Sequence, residues 1–390
     1  MRPSLLLFRL SPVRRYNERM PRKLGQHFLK NKDAIKKTVA ALDVKDGDIV
    51  IEVGPGHGEL TEYLKMQKSK CKIIAIEKDA RLANFLEKKF LSYSHPASSP
   101  FLRHPESSSS ADEGSLHGDS SPPKADRNDR KGGWRTWNNN GEESRRVEII
   151  HGDILKILPT IIAEVMNEED SRAAEKVGEG LRPSSDIVRL KYEHALISLL
   201  ARRNRTWASA PERTLFLPHG NLSYKLIGNI PYYLTGYLLR TISELPILPE
   251  RAVFMIQKEV AERIVALPPR MNLLAASVRY WSDPKIIAAV SKDDFSPPPK
   301  VESAVILLKT LPSATKTRTL PKENYYRAVK LLFAHPRKTI LNNIRPGFHP
   351  FQNDFLGELE RAGINPEGRP QNLSVHDIKK ISEIVYNMNE

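Results

Sequence analysis

Hydrophobic and polar positions follow two alternating rhythms along most of the chain. A short apolar run, Ile49-Val50-Ile51-Glu52-Val53, has the length of a buried strand, and Glu59 to Lys68 then repeats its apolar residues at helical spacing. The pair recurs as Lys72 to Ile76 followed by Ala80 to Phe90. Further β-type runs stand at Val147 to Ile150, Lys225 to Ile227 and Arg251 to Ile256, with helices expected over Ile154 to Val165, Tyr232 to Leu245 and Lys258 to Ala266. Such alternation predicts an α/β fold, a mostly parallel sheet covered by helices that takes its ligand at the carboxyl ends of the strands. Beyond about Pro312 strand signals stop. Helical patterns at Glu323 to Ala334, Lys338 to Ile344, Asn353 to Ala362 and Ser374 to Tyr386 predict a smaller all-α domain, 312–390, behind a catalytic domain of 21–311.

Two tracts break the rhythm. Residues 92–146 turn to Ser, Pro, Gly, Asn and charge, including Ser107 to Ser110 and Asn138 to Asn140, too polar to offset the entropy of ordering. Residues 167–219 form a second irregular insertion, with one amphipathic helix expected from Lys191 to Arg202. Residues 1–20 are basic, carry one acid, Glu18, and hold only a short apolar run, Leu5-Leu6-Leu7-Phe8. A transit peptide, a basic arm and sequence upstream of a start at Met20 all fit; the short apolar run favours the last two.

Charge and cysteine usage narrow the class. Lys and Arg outnumber Asp and Glu, 61 to 46, and a net charge of +15 favours a polyanionic partner such as RNA, although basic membrane-binding or simply soluble proteins reach similar values. Cys71 is the only cysteine, so an intrachain disulfide, a Cys-rich zinc site and a Cys-x-x-Cys redox pair are excluded, and a reducing, cytoplasmic setting is expected. No apolar run approaches the roughly 20 residues that span a bilayer.

The first strand runs into Gly54-Pro55-Gly56-His57-Gly58 and then a helix. Glycines there let the backbone approach a ligand closely. The spacing is Gly-x-Gly-x-Gly with an acid before it, which departs from a dinucleotide fingerprint and resembles the first motif of class I methyltransferases. Glu77 closes the second strand, where a carboxylate can accept both ribose hydroxyls, and Asp153 follows the third, placed to accept the amine of a bound adenine. A ligand-free tight turn and solvated acids are the competing readings; their shared strand-end placement weighs against them.

After the fourth strand comes Gly228-Asn229-Ile230-Pro231-Tyr232. Adenine N6 is a poor nucleophile because its lone pair is delocalised into the ring. The side-chain oxygen of Asn229 and the carbonyl of Ile230 could accept the two N6 hydrogens and localise that pair. Pro231 stiffens the turn, and Tyr232 offers a face for an extruded base. An ordinary Asn-Pro turn before a helix is the bland alternative.

These motifs, in this order, resemble the ribosomal RNA adenine N6,N6-dimethyltransferases, over about Pro21 to Glu390 without the two insertions. Leu24-Gly25-Gln26-His27-Phe28-Leu29 is similar to the family's amino-terminal cofactor motif, with His27 where Asn is usual. Gln257 to Arg263, Phe295 to Ala304, Arg337-Lys338-Thr339 and Arg369 to Ser374 also match. The resemblance implies a class I, Rossmann-like S-adenosylmethionine-dependent core with a helical carboxyl-terminal RNA-binding domain. It implies dimethylation of two adjacent adenosines in the 3′-terminal stem loop of small-subunit ribosomal RNA, on a late pre-30S particle, by a monomer without a metal. His27, Leu29, Gly54, Gly56, Gly58, Glu77, Asp153 and Asn229 would hold S-adenosylmethionine. Asn229, Ile230, Pro231, Tyr232 and Phe295 would form the base pocket, Phe295 as its second aromatic wall, and Arg337, Lys338 and Arg345, on the expected carboxyl-terminal helices, would track RNA phosphates. The competing functions are a non-catalytic ribosomal RNA-binding assembly factor, a large-subunit methyltransferase of the erythromycin-resistance type, and a nicotinamide-dependent oxidoreductase, which the glycine spacing disfavours.

Overall fold

A computed structural model describes residues 27–91, 147–163, 223–312, 321–345 and 352–388. The amino-terminal arm, both insertions, the helix expected at Lys191 to Arg202 and the Leu24-Gly25-Gln26 part of the first motif lie outside the described residues. In chain order the elements are β1 (Phe28–Leu29), α1 (Lys32–Leu42), β2 (Ile49–Val53), α2 (Glu59–Lys65), β3 (Lys72–Glu77), α3 (Ala80–Leu91), β4 (Val147–His151) and α4 (residues 154–163). They continue with β5 (Tyr224–Asn229), a 3-10 turn (Tyr232–Leu234), α5 (Thr235–Glu244), β6 (Arg251–Gln257), α6 (Lys258–Val265), α7 (Leu273–Arg279) and β7 (Ser282–Val290). The last are β8 (Phe295–Ser296), β9 (Ser303–Thr310), α8 (Lys322–Leu332), α9 (Ile340–Ile344), α10 (Gln352–Arg361) and α11 (Val375–Asn387).

Seven strands form one sheet in the order β4-β3-β2-β5-β6-β9-β7. The first five are parallel; β9 runs antiparallel to β6, and β7, antiparallel to β9, points again in the direction of the first five. All five parallel strands fall where the apolar runs place them, because strands covered on both faces read as continuous apolar stretches. Strands β7 and β9 carry no comparable expectation. β7 contains Pro284 and exposed Lys285, Ile286 and Ile287, as an edge strand permits, and β9 adjoins the proline-rich motif. Helix α1 is a further addition; Asn31 caps it by accepting from the N–H groups of Asp33 and Ala34.

Apolar side chains gather on both sides of the sheet. Ile51, Val53, Leu226, Phe254 and Ile306 pack with α4 and α5, whereas Val50, Ile73, Ile227, Val253 and Val305 pack with α1, α2 and α3. The split follows from the alternation of side chains along each strand. A third core joins α8 to α11 and also takes Met271, Ala275, Ala276 and Tyr280 from α7 and its flanks, so the carboxyl-terminal helices share apolar surface with an element that precedes residue 312.

Candidate active site

The parallel strands deliver their carboxyl ends to one cavity, where the order reversal between β2, β3 and β5 leaves a crevice. Gly54 and Gly56 form its floor in the left-handed conformation, φ +64° and +61°. A Cβ on Gly54 would meet nothing within 4 Å, so the bare backbone opens space in which a ligand can approach. The turn is bonded through Gly54 N–H to the Ile76 carbonyl (2.9 Å) and Gly56 N–H to Glu77 Oε2 (3.1 Å). Gly58 has a different place. It stands outside the cavity lining at the start of α2, where a Cβ would lie 2.7 Å from the Phe90 ring. Its bareness serves the packing of α3.

Glu77 lines the cavity at 5% exposure, with Oε1 accepting the Asp79 N–H at 2.9 Å. Burial raises its pKa, and hydrogen bonds from the backbone of Asp79, Gly56 and Lys78 work against the rise. Asp153 also lines the cavity, but its oxygens are shared: Oδ1 accepts the Leu155 N–H (3.1 Å) at the start of α4 and Oδ2 meets Lys78 Nζ (2.9 Å). Each carboxylate oxygen has two acceptor sites, so a further donor can still be taken.

Gly228 sets the distance between the two halves of the site. A Cβ there would fall 2.5 Å from the Val53 carbonyl, so only glycine lets β5 close against the end of β2. Asn229 is thereby held beside the glycine turn. Its Nδ2 donates to the His27 carbonyl at 3.0 Å, leaving Oδ1 as the half of the amide able to accept from a ligand. The Ile230 N–H donates to the Met255 carbonyl at 3.0 Å, which fixes that peptide on the neighbouring strand, and Pro231 follows at φ −52°. Tyr232 is anchored through its hydroxyl to Ser303 Oγ at 2.8 Å. Its ring lies near parallel to the His27 imidazole, centroids 6.3 Å apart.

A two-stranded ribbon closes another wall. β1 pairs antiparallel with β8, setting Leu29 opposite Phe295, and His27 Nδ1 bonds the Pro297 carbonyl at 2.7 Å. Leu29 and Phe295 line the cavity from within the apolar core; Phe295 is only 3% exposed. The structure thus brings His27, Leu29, Gly54, Gly56, Glu77, Asp153, Asn229, Ile230, Pro231, Tyr232 and Phe295 to one cavity.

Arg337, Lys338 and Arg345 are not part of that cavity. They are exposed; Arg337 and Lys338 occupy the turn before α9, which corrects their expected place on a helix, whereas Arg345 caps the end of α9 with helical backbone angles. Thr339 starts that helix by accepting the Asn342 N–H, so the helix begins two residues later than its apolar pattern suggests. Among the cavity residues that carried no sequence expectation of their own are Phe28, Lys78 and Tyr233. Phe28 sits 3.1 Å from where a Gly56 Cβ would be, Lys78 meets Asp153, and Tyr233 stands on the rim. Phe28 was within reach, since the amino-terminal motif contains it; nothing local marks the other two. Glu52, the acid before the glycines, lies behind them and does not line the cavity. It is buried, takes the Thr61 hydroxyl on Oε2 at 2.6 Å, and its pKa is pushed up to about 8 by burial, against that hydrogen bond and with help from the charges of Glu59 and Glu77.

Among the described residues no cluster of three or more His, Cys, Asp or Glu side chains is arranged to hold a metal ion, and no helix is long and apolar enough to cross a membrane.

A family model described as ribosomal RNA adenine dimethylase matches residues 17–98 and 138–387. A ribosomal RNA small subunit methyltransferase A of Dehalococcoides mccartyi is 28% identical over 387 residues, 99% of this chain and 95% of that protein. Its namesake from Pelotomaculum thermopropionicum is 28% identical over 372 residues, 93% of this chain and 90% of that protein. Among solved structures, a dimethyladenosine transferase from Plasmodium falciparum superposes with a TM-score of 0.57 at 19% identity, covering 93% of this chain and 98% of its own. The 23S rRNA methyltransferase ErmE gives 0.52 at 16%, covering 92% and 99%. At these identities the two superpositions establish the fold.

Proposed function

This chain belongs to the ribosomal RNA adenine dimethylase family, and from that premise we propose that it methylates N6 of two adjacent adenosines in the 3′-terminal stem loop of small-subunit ribosomal RNA, late in assembly of the subunit, with S-adenosylmethionine as cosubstrate. The observation that carries the proposal is the fixed Asn229 amide: with Nδ2 committed to the His27 carbonyl, Oδ1 stands as an acceptor in the cavity beside the glycine turn.

The residues present fit the cosubstrate, because Gly54 leaves open backbone where a side chain would fill the space. In this reading Glu77 takes the ribose hydroxyls, Asp153 the adenine amine, Gly54 and Gly56 let the ligand lie against the backbone, and His27 and Leu29 flank its methionine end. When bound, S-adenosylmethionine supplies an electrophilic methyl group on a sulfonium. In the first transfer Asn229 Oδ1 and the Ile230 carbonyl would accept the two N6 hydrogens of the target base, turning the lone pair out of conjugation and stabilising the positive charge that develops on nitrogen until one N6 proton leaves to solvent; in the second, the single remaining N–H would bond one of the two acceptors. Pro231 restricts the turn that aims the Ile230 carbonyl. Tyr232, held by Ser303, gives the extruded base a fixed face, and Phe295 bounds the pocket opposite. Rigid placement of acceptor and base supplies much of the acceleration. The exposed Arg337, Lys338 and Arg345 would meet phosphates away from the reacting atoms.

Incubation of the protein with labelled S-adenosylmethionine and unmethylated small-subunit particles tests the reading. The expected product is N6,N6-dimethyladenosine in the 3′-terminal RNA fragment. Cofactor binding without transfer would replace the reading with a non-catalytic assembly factor, and label confined to large-subunit RNA would replace the substrate.

A further inference from the structure

His27 stands at the end of the β1–β8 ribbon that faces the base pocket. The ribbon is only two pairs long, Phe28 opposite Ser296 and Leu29 opposite Phe295. A strand that short has little hold of its own, and side chains tie it at both ends. At the far end Asn31 Nδ2 donates to Asp294 Oδ1 at 2.9 Å, beside the Lys30 N–H on the Asp294 carbonyl at 2.7 Å. At the near end His27 Nδ1 meets the Pro297 carbonyl at 2.7 Å. A carbonyl oxygen can only accept, so Nδ1 carries the hydrogen.

The same residue offers its own carbonyl to Asn229 Nδ2 at 3.0 Å, and its ring lies near parallel to that of Tyr232. The carbonyl decides which way the Asn229 amide faces. With it in place Nδ2 turns toward His27; the flipped amide would set Oδ1 against another acceptor and aim a donor into the cavity. Adenine N6 carries hydrogens and needs acceptors, so a flipped Asn229 would repel the group it has to bind. The useful orientation of Asn229 therefore depends on where the His27 carbonyl is held, and the Nδ1 bond holds the residue that bears it.

We infer that His27 is a positioning residue for methyl transfer: its side-chain bond to the Pro297 carbonyl locks the backbone carbonyl that orients the Asn229 amide. The inference rests on the RNA-methylating reading of the same cavity and deepens it, because it gives His27 a task toward the target base besides its place beside the cosubstrate. His27 acts through Asn229 and takes no part in the transfer itself. The side-chain requirement is narrow. Asparagine carries an N–H at the same δ position as histidine and can make the Pro297 bond, whereas leucine branches at the same point and has nothing to donate.

Methylation of unmethylated small-subunit particles by the full-length protein tests it, with S-adenosylmethionine affinity read by calorimetry. His27→Leu should lower kcat about tenfold to a hundredfold, while KM for the particle and cofactor affinity change by less than about threefold, because aim is lost rather than binding. His27→Ala is carried alongside, so that the result does not hang on the folding of one variant. His27→Asn should recover most of the lost kcat. In an Asn229→Ala background, where no amide is left to orient, adding His27→Leu should change the single-turnover rate by less than about twofold. The inference is overturned by leucine and alanine variants as fast as the parent, by a loss confined to cofactor affinity, by an asparagine variant no faster than the leucine one, or by a full further loss on top of Asn229→Ala. A parent that methylates RNA while these variants match it removes this inference alone. A parent that transfers no methyl group to RNA removes the functional reading and this inference with it.

Discussion

Asp48 and Glu52 stand at opposite ends of strand β2, both buried, and their surroundings differ in a way that separates the two ends of the sheet. Asp48 belongs to a closed network. Its Oδ2 receives Lys225 Nζ at 2.6 Å and the Lys45 N–H at 2.6 Å, while the fully buried Lys225 also reaches the Asp43 carbonyl, and Arg251 joins Asp43 Oδ2 at 2.8 Å. Glu52 has a single hydrogen-bond partner, Thr61, and its Oε1 has none among the described residues. At the amino ends of the strands, most of these polar groups bond one another, with the buried Arg251 Nε left over. At the carboxyl ends, within the cavity, Asn229 Oδ1 and the Asp153 carboxylate keep capacity for a ligand. Stability and function are thereby assigned to opposite ends of the same strands, β5 above all, which begins near Lys225 and finishes at Asn229.

The largest expected effect falls at the closed end. Lys225→Ala leaves the Asp48 carboxylate buried without its cation and should cost about 3–5 kcal/mol of stability, read as a lower urea midpoint, while the molecules that remain folded keep normal turnover. Loss of turnover per folded molecule would break the division. At the open end, Glu52 makes stability depend on pH. Its folded pKa of about 8 lies above the ordinary value of 4.5, so between those values the folded chain binds more protons than the unfolded one. Stability from this group is complete below about pH 4.5 and declines as pH rises toward 8. Glu52→Gln should flatten that decline, by up to roughly 4 kcal/mol across the window, in unfolding midpoints compared at pH 5 and pH 8. A variant that loses stability in parallel with the parent would remove Glu52 as the cause.

Asn229→Ala should sharpen the comparison further. We expect a fall in turnover of about a hundredfold to a thousandfold with little change in melting temperature or cofactor affinity, since one preorganised acceptor is removed from the transition state. Turnover equal to the parent would defeat the role given to its amide. The smallest effect is expected for Glu77→Ala, a weakening of S-adenosylmethionine binding by about 1.5–3 kcal/mol, read by calorimetry, from loss of charged hydrogen bonds.

Much of this arrangement was legible along the chain, for a local reason. Parallel strands covered on both faces must be apolar throughout, so β2, β3, β4, β5 and β6 announce themselves, and each short polar motif sits directly after one of them. Strands β7 and β9 were harder to read. β7 is an edge strand interrupted by Pro284, and β9 follows a proline-rich segment, so neither shows the pattern of its neighbours. The candidate site divides the same way. Gly54, Gly56, Glu77, Asp153 and Asn229 follow strands and were identifiable by position. Gly58 shares their motif yet packs against Phe90, because the third glycine meets a helix distant in sequence.

The amino-acid sequence by itself determined the order of elements, the sites of the turns and the residue types offered at each strand end, since these depend on periodicity and backbone preference within a few residues. The tertiary structure decided which of those groups face one another: Asn229 against the His27 carbonyl, Lys78 against Asp153, Lys225 against Asp48, and β1 against β8. Those pairings join residues far apart in the chain, and only packing of the completed sheet brings them within bonding distance. No local signal encodes which donor will find which acceptor once the strands are side by side.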